Sequence, residues 1–498
     1  MAIIVQQEPG YHTAPAGQEL MFVINEDTGL LTSTTFPKII ANVLVTNDKA
    51  FTDLVLSAQF KAAPNGAGVC MFDFGQIVEN VLTPDYNGFV SGQPAAFSTL
   101  QGLPYTENRY YHTIHNIDKY AYSQNSAKYF QVTFTLEFLG GDGVNNNVVA
   151  PNGMYGAAQP LYLFNGVLYD TDVQKYPSTF QPNNYGYDLS NYFLQTNAAP
   201  KGIGGFLTNS PKIQYATLED YGTFAFFNNM NEEYYSFDVG AGNLNTIRNI
   251  TIKLYDSSDS QLGSTITLDN EQVNGGFGGH VSTADDTSSP WAKTQLLYAG
   301  VFPANLRGWS TIFQTQAATG NLAYYTLQAI NQQGDDAGLE YRINIVEECL
   351  YPPIRLTWLN KFGTWDYYTF MKKSTRSLKT TRKEYTKLRG TWNSSSYNPN
   401  QQSGGKKNYL IETNETIKVN TDYITEEEGV WLEELFNSQE MYIVNPYFTY
   451  SGLDVINKFL EPVNVTNTSY KRKTKLNDKL IQYSFDLKRV SNRKTQRP

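Results

Sequence analysis

Apolar and polar residues alternate with a period of two along most of this chain, which predicts strands far more often than helices. In KYFQVTFTLEF (128–138), Phe130, Val132, Phe134 and Leu136 fall on one face. LMFVINE (20–26), KIIANVLVT (38–46) and DLVLSAQF (53–60) are short apolar or alternating runs, followed by the turn-rich KAAPNGAG (61–68). GQIVENVL (75–82) reads as one short helix. After the loop-like GGDGVNNNVVAPNGMYGAAQP (140–160), LYLFNGVLY (161–169) reads as a hairpin about an Asn-Gly turn. TIRNITIKLYD (246–256) and YRINIVEECL (341–350) are further strands, and VNGGFGGHVSTADDTSSP (273–290) is a loop. YGTFAFF (221–227) echoes FGTWDYY (362–368), as if one aromatic-strand solution occurred twice.

The last third has the clearest order. RLTWLNKFGTWDYYTF (355–370) places six aromatics around an Asn-Lys-Phe-Gly turn, and its alternation predicts a structural hairpin. Leu356 and Trp358 on one strand, and Trp365 and Tyr367 on the other, are expected to pack a core. MKKSTRSLKTTRKEYTKLRG (371–390) is too rich in Ser and Thr for a helix and is expected to be a strand or extended arm. NSSSYNPNQQSGGKK (393–407) is a loop and NYLIETNETIKVN (408–420) a strand pair. One helix is clear: Thr425 as N-cap with Glu428 three residues later forms a capping box. Glu426, Glu427 and Glu428 suit the positive helix end, while Trp431, Leu432, Leu435 and Phe436 form an apolar face. MYIVNP (441–446), PVNVTNT (462–468) and LIQYSFDLKRV (480–490) are strands, the last with Ile481, Tyr483, Phe485 and Leu487 on one face.

At 498 residues the chain is too long for one core. Breaks in pattern divide it into three regions: 1–150, an N-terminal β-sandwich-like domain; 151–350, a second β-rich domain; and 351–498, a C-terminal β-sandwich or α+β domain. With 17% charged residues, 36 Tyr, 28 Phe and abundant turn formers, the expected class is all-β dominated, with multiple β-sandwich domains and one short capped helix near the C-terminus.

Charge changes the picture locally. The net charge is −9, yet residues 371–390 carry eight basic and one acidic residue, and residues 471–498 carry ten and two. These segments hold +7 and +8, so the rest of the chain holds −24. Such asymmetry favours charge-guided protein contact, whereas most of the body repels phosphate, so nucleic acid is disfavoured. The candidate assembly residues are Lys372, Lys373, Arg376, Lys379, Arg382, Lys383, Lys471, Arg472, Lys473, Arg493 and Lys494. Trp358, Trp365 and Tyr367 are structural hairpin aromatics, with sugar stacking as the competing role.

Chemistry is sparse. His112 and His115 in YYHTIHN lack an acidic or cysteine partner at metal spacing. GGFGGH (275–280) lacks the strand, helix and Lys-Ser/Thr of a phosphate cradle. Acidic pairs at Asp256/Asp259, Asp285/Asp286 and Asp335/Asp336 sit in Ser/Gly-rich turns, and DTD (170–172) and YDSSDS (255–260) are incomplete as calcium loops. Cys70 and Cys349, 279 positions apart, match no metal or redox spacing, and free thiols are the expectation over a disulfide. No cofactor and no catalytic residue is expected. No apolar run approaches a membrane span, and MAIIVQQEPG lacks the pattern of a signal peptide, so synthesis in a cytoplasm is expected. The Asn-x-Ser/Thr triplets at Asn249, Asn393, Asn414, Asn464 and Asn467 then follow from composition.

The order of the C-terminal motifs resembles virion structural proteins of tailed phages of Bacteroidota, including crAss-like phages. It runs WLNKFGTWDYYTF, a Lys/Ser/Thr/Arg-rich segment, strands leading into TEEEGVWLEELFNSQEMYIV, then PVNVTNTSYKRKT and a final alternating strand with a basic tail. FLTNSPKIQYATLEDYGTFAFF (206–227) and KAAPNGAGVCMFDFGQIVENVL (61–82) fit the same group, so all three regions share in the resemblance. It implies a non-enzymatic subunit of a tail hub, baseplate or neck ring. It also implies a homo-oligomeric ring contacting other tail proteins, located in the virion tail after assembly in the host cytoplasm. A tail-borne adhesin for a host glycan is the alternative, and a tail depolymerase a more distant one.

Overall fold

The computed structural model describes residues 3–9, 13–33, 36–47, 51–86, 113–117, 119–123, 125–139, 146–149, 155–156, 161–168, 173–175, 185–187, 189–194, 204–228, 247–270, 296–331, 334–346, 351–391, 394–400, 402, 404–445, 460–473 and 481–490. Among these, 50% lie in strands and 12% in helices, so the protein is mostly β, as its alternation predicts. Two compact units are present: residues 1–346 together with 359–366, and residues 347–358 together with 367–498.

The first unit contains two sheet pairs. Strands Ile3–Gln7, Met21–Glu26 and Cys70–Asp73 form a three-stranded sheet. Facing it is a larger sheet that includes Lys38–Thr46, Leu54–Ala62, Ala127–Leu139 and Leu161–Phe164. The alternation of 128–138 holds: Phe130, Val132, Phe134 and Leu136 all enter the core. Phe22 of one sheet meets Phe134 of the other at 5.9 Å between rings, which is the interdigitation of a sandwich. The short helix Gly75–Glu79 closes this core through Val78.

A second pair joins the five-stranded sheet of Ile213–Ala216, Asp336–Ile345, Tyr324–Asn331, Ile247–Tyr255 and Ile266–Asp269 to the strands Thr223–Phe227, Leu296–Gly300 and Tyr120–Tyr122. Phe224 and Tyr341, one from each sheet, approach to 5.2 Å. Strand pairing crosses position 150: Leu161–Phe164 pairs with Ala127–Leu139, and Tyr120–Tyr122 pairs with Leu296–Gly300. The first two sequence regions therefore share sheets, because long-range pairing and not chain proximity completes them.

Among the described residues 161–168, the hairpin expected at 161–169 has its first strand, Leu161–Phe164, and no return strand. After Phe164 the chain makes a tight turn, Gly166 N–H donating to Phe164 O at 2.8 Å, and then donates from Val167 N–H to Lys361 O at 2.8 Å. The Asn-Gly pair is used to receive a distant segment, not to reverse a strand.

Among the described residues, the second unit holds a seven-stranded sheet and a helix. Its order is 365–370, 354–359, 441–444, 460–465, 484–489, 405–420, 375–387, and every pairing described among the last six strands is antiparallel. Residues 365–370 and 484–489 stand four strands apart, roughly 19 Å on a flat sheet. Yet Phe370 and Phe485 lie 6.1 Å apart, so the sheet curls over its own core. Helix Glu426–Asn437 caps that core, with Trp431 5.1 Å from Trp358. Its capping box is present in full: Thr425 Oγ1 accepts from Glu428 N at 3.2 Å, and Glu428 Oε2 accepts from Thr425 N at 2.7 Å.

Candidate functional site

The strand pair expected at 408–420 is a single strand, Gly405–Asn420, sixteen residues long. It pairs with the basic strand Thr375–Lys387 over their whole length, from Thr375 opposite Lys418 to Lys387 opposite Gly405. On its other side, among the described residues, the strand Ser484–Arg489 pairs with Thr416–Asn420 alone. Past Glu415 the two strands continue as a two-stranded ribbon of about ten residue pairs, roughly 33 Å long at the usual rise per strand residue. Thr375–Lys387 is the terminal strand of the sheet, and twelve of its thirteen residues are exposed.

The ribbon gathers the basic candidates. Arg376, Lys379, Arg382 and Lys383 are exposed on it, and Lys373 is exposed just before it. Lys372 is anchored by an ion pair with Asp422 at 3.1 Å. Between the cations stand Leu378, 56% exposed, and Tyr385 and Tyr409, whose rings meet edge-on at 6.3 Å. A bulge between Lys383 and Glu384 adds local twist and, with the charges, discourages edge-to-edge pairing with a copy of the same strand.

The 471–473 cluster is different. Lys471 is exposed, but Arg472 Nε donates to Glu433 Oε2 at 2.6 Å. Lys473 N–H donates to Tyr483 OH at 2.9 Å, and its ammonium reaches Gln482 O and stands over the Tyr483 ring. A hollow of about 290 Å³ opens there beside Tyr470 and Phe485, and the Tyr470 hydroxyl and the Lys473 ammonium that line it already donate to Gly429 O and Gln482 O. Arg493 and Lys494 lie outside the described residues.

The hairpin aromatics are interior. Trp358, Trp365 and Tyr367 are 0%, 2% and 3% exposed, which removes them as a sugar platform. Their roles diverge: Trp358 lies in the core of the second unit, whereas Trp365 belongs with 359–366 to the first. There Trp365 Nε1 donates to Asp85 O at 2.8 Å, and His115 packs edge-on at 5.0 Å.

Asn360, not singled out in the sequence, organises this turn. Its Oδ1 accepts from Phe362 N and Thr364 N, while Nδ2 donates to Leu207 O at 2.9 Å and Asp366 Oδ1 at 3.0 Å. Gly363 has φ 70°, and a Cβ there would fall 1.8 Å from Asn165 O. The Asn-x-x-Gly spacing signals a turn, but no sequence signal shows what the turn docks into.

Acidic turns serve structure. Asp256 Oδ1 accepts from Ser258 N and Ser260 N, both at 2.8 Å, and Asp259 Oδ1 accepts from Tyr324 OH. No group of three or more His, Cys, Asp or Glu that could hold a metal ion occurs among the described residues. His112, Asp285, Asp286, Cys349 and 170–172 lie outside them, and Cys70 is a buried free thiol whose pKa burial raises. No helix among the described residues is long and apolar enough to cross a membrane.

No family model matches this chain, and no curated protein is similar to it. Among solved structures it is similar to the native conformation of E. coli alpha-2-macroglobulin, at a TM-score of 0.16 and 8% identity. That alignment covers 84% of this chain and 21% of the macroglobulin chain, so this chain spans about a fifth of that protein's length. A likeness this slight carries no argument.

Proposed function

We propose that this protein is a non-enzymatic structural subunit of a tailed-phage virion, placed at the tail hub, baseplate or neck ring and acting through multivalent protein contacts. The observation that carries the reading is the ribbon: a long, solvent-exposed cationic hairpin on a chain whose net charge is −9. A free two-stranded ribbon gains little stability for its own domain, so its length and its exposed Leu and Tyr side chains suit a partner's surface. The sandwich architecture suits a ring subunit, whose neighbours meet through unlike, complementary patches. The motif order that resembles Bacteroidota phage virion proteins supplies the biological setting, with assembly in the host cytoplasm.

The test is compositional. Mass spectrometry of tailed particles produced from a genome encoding this chain should find it as a stoichiometric component of the tail. Particles that are complete without it, or a chain recovered only outside particles, would overturn the proposal.

A further inference from the structure

The face of the ribbon can be read from its register. Lys383 stands opposite Leu410 and Tyr385 opposite Lys407, and alternation places Lys379 on the same side. This face therefore interleaves cations with an aliphatic and an aromatic group. Residues 375–420 contain nine basic and three acidic residues, net +6, so with the chain at −9 the remainder carries −15. The same unit presents a counterpart. Residues 421–440 contain seven acidic residues and no Lys or Arg; Asp422 and Glu433 already pair with Lys372 and Arg472 and Glu434 is buried, so the docking charge rests on the first helical turn. Glu426 and Glu427 are exposed in the first helical turn, with Tyr423 and Val430 exposed beside them at 61% and 49%.

We propose that the ribbon of one copy docks on the 421–440 surface of a second copy, Lys379, Lys383 and Lys407 facing its carboxylates and Tyr385 and Leu410 facing Tyr423 and Val430. This deepens the reading of the chain as an assembly subunit by naming its partner and rests on that reading. Charge complementarity selects the occupant: each surface matches the other in sign and in apolar content. Glu412, opposite Thr381, lies on this same face and meets either kind of acidic partner, whereas a polyanion would in addition meet the −15 of the remaining chain. Because donor and acceptor surfaces differ, the contact is heterologous and propagates into a ring or an open chain unless two copies engage reciprocally.

The experiment is a charge swap read by analytical ultracentrifugation of the full chain. Wild type should self-associate at low salt, with affinity falling about tenfold or more on raising salt through the screening range. Lys379→Glu/Lys383→Glu/Lys407→Glu should be monomeric with the wild-type melting profile, and Glu426→Lys/Glu427→Lys should be monomeric and folded but melt somewhat lower, because two lysines then stand at the positive helix end. Mixed together, the two variants should associate again, since each acidic ribbon then meets a basic helix surface. Wild type that stays monomeric at all salts, a ribbon variant that associates as wild type does, or a mixture that fails to recover would each overturn the proposal. If the second variant fails to fold, the first variant and the salt series still decide it. Ribbon-dependent binding to a DNA duplex without self-association would replace a protein partner with nucleic acid. A chain present in virions but not self-associating would sink only this inference and leave the proposed function standing.

Discussion

Two hairpins follow one another in this chain and meet opposite fates. In the first, 354–370, both strands are covered on both faces: Leu356, Trp358 and Phe370 are buried, but so are Arg355, Thr357 and Thr369 on the opposite face. In the second, 375–387 with 405–420, alternation is equally clear and nearly every position of the outer strand is in water. Period-two pattern thus reports strand, not burial. Burial follows from whether a second layer exists and whether the polar face finds partners. Arg355 Nη1 donates to Thr369 Oγ1 at 2.9 Å and its guanidinium stands 5.1 Å from the Tyr367 ring. No such internal set is open to a face with a cation at every second or third residue, because burying each unpaired charge would cost far more than the strand gains.

The largest effect expected from this contrast is in the first hairpin. Trp358→Ala removes a fully buried indole from between the sheet and Trp431 and should destabilise the second unit by about 3–5 kcal/mol in urea unfolding. Tyr385→Ala, an aromatic change on the ribbon, should stay within about 0.5 kcal/mol. Equal losses at the two sites would erase the distinction. Next comes Gly363→Ala, which forces a side chain into a positive-φ turn and against Asn165 O. A loss of roughly 3 kcal/mol is expected, from backbone strain plus a displaced carbonyl. A melting temperature equal to wild type would mean that the turn does not need its glycine.

Much of this was legible from the sequence, and the gaps have physical causes. Capping, alternation and the exposed basic strand follow from local chemistry, so Thr425, Phe134 and Lys379 are found where pattern puts them. What pattern cannot show is pairing between distant segments. The Asn165-Gly166 pair has the local signature of a hairpin, yet it is used to receive the 359–366 turn. The length of the ribbon was hidden for the same reason: Gly405–Asn420 looks like two strands until its register with 375–387 is known. The basic cluster at 471–473 reads as a docking patch, but Glu433 and Tyr483 claim two of its members.

A half-buried cation sharpens the comparison from the other side. The Lys212 ammonium stands 4.0 Å from the Tyr341 ring centre and donates to its hydroxyl, and burial lowers its pKa from 10.5 to about 8. Between pH 8 and 10.5 the unfolded chain keeps a proton that the folded chain has released, so stability rises with pH through that window and the penalty is fully present below it. Comparing wild type with Lys212→Met should show a pH-dependent difference of about 2–3 kcal/mol confined to that range. A flat difference would mean that Lys212 is solvated like the ribbon lysines. Smaller again is Thr425→Ala, which loses one half of the capping box and should cost about 1 kcal/mol by thermal unfolding.

The smallest predicted stability change tests the ribbon most directly. Lys379, Lys383 and Lys407 extend from the ribbon strands past Glu415, and they sit among six other cations on 375–390 and Gly405–Asn420, Arg382 and Lys406 among them. Replacing all three with Gln removes like-charge repulsion and no contact of the core, so stability should change by less than about 0.5 kcal/mol, and a slight gain is the expected sign. A loss above 1 kcal/mol in urea unfolding would mean that the ribbon is bound down within its own unit, and the contrast between the two hairpins would then be one of degree. A neutral result would mean that these charges are not held in place by the folding of this chain.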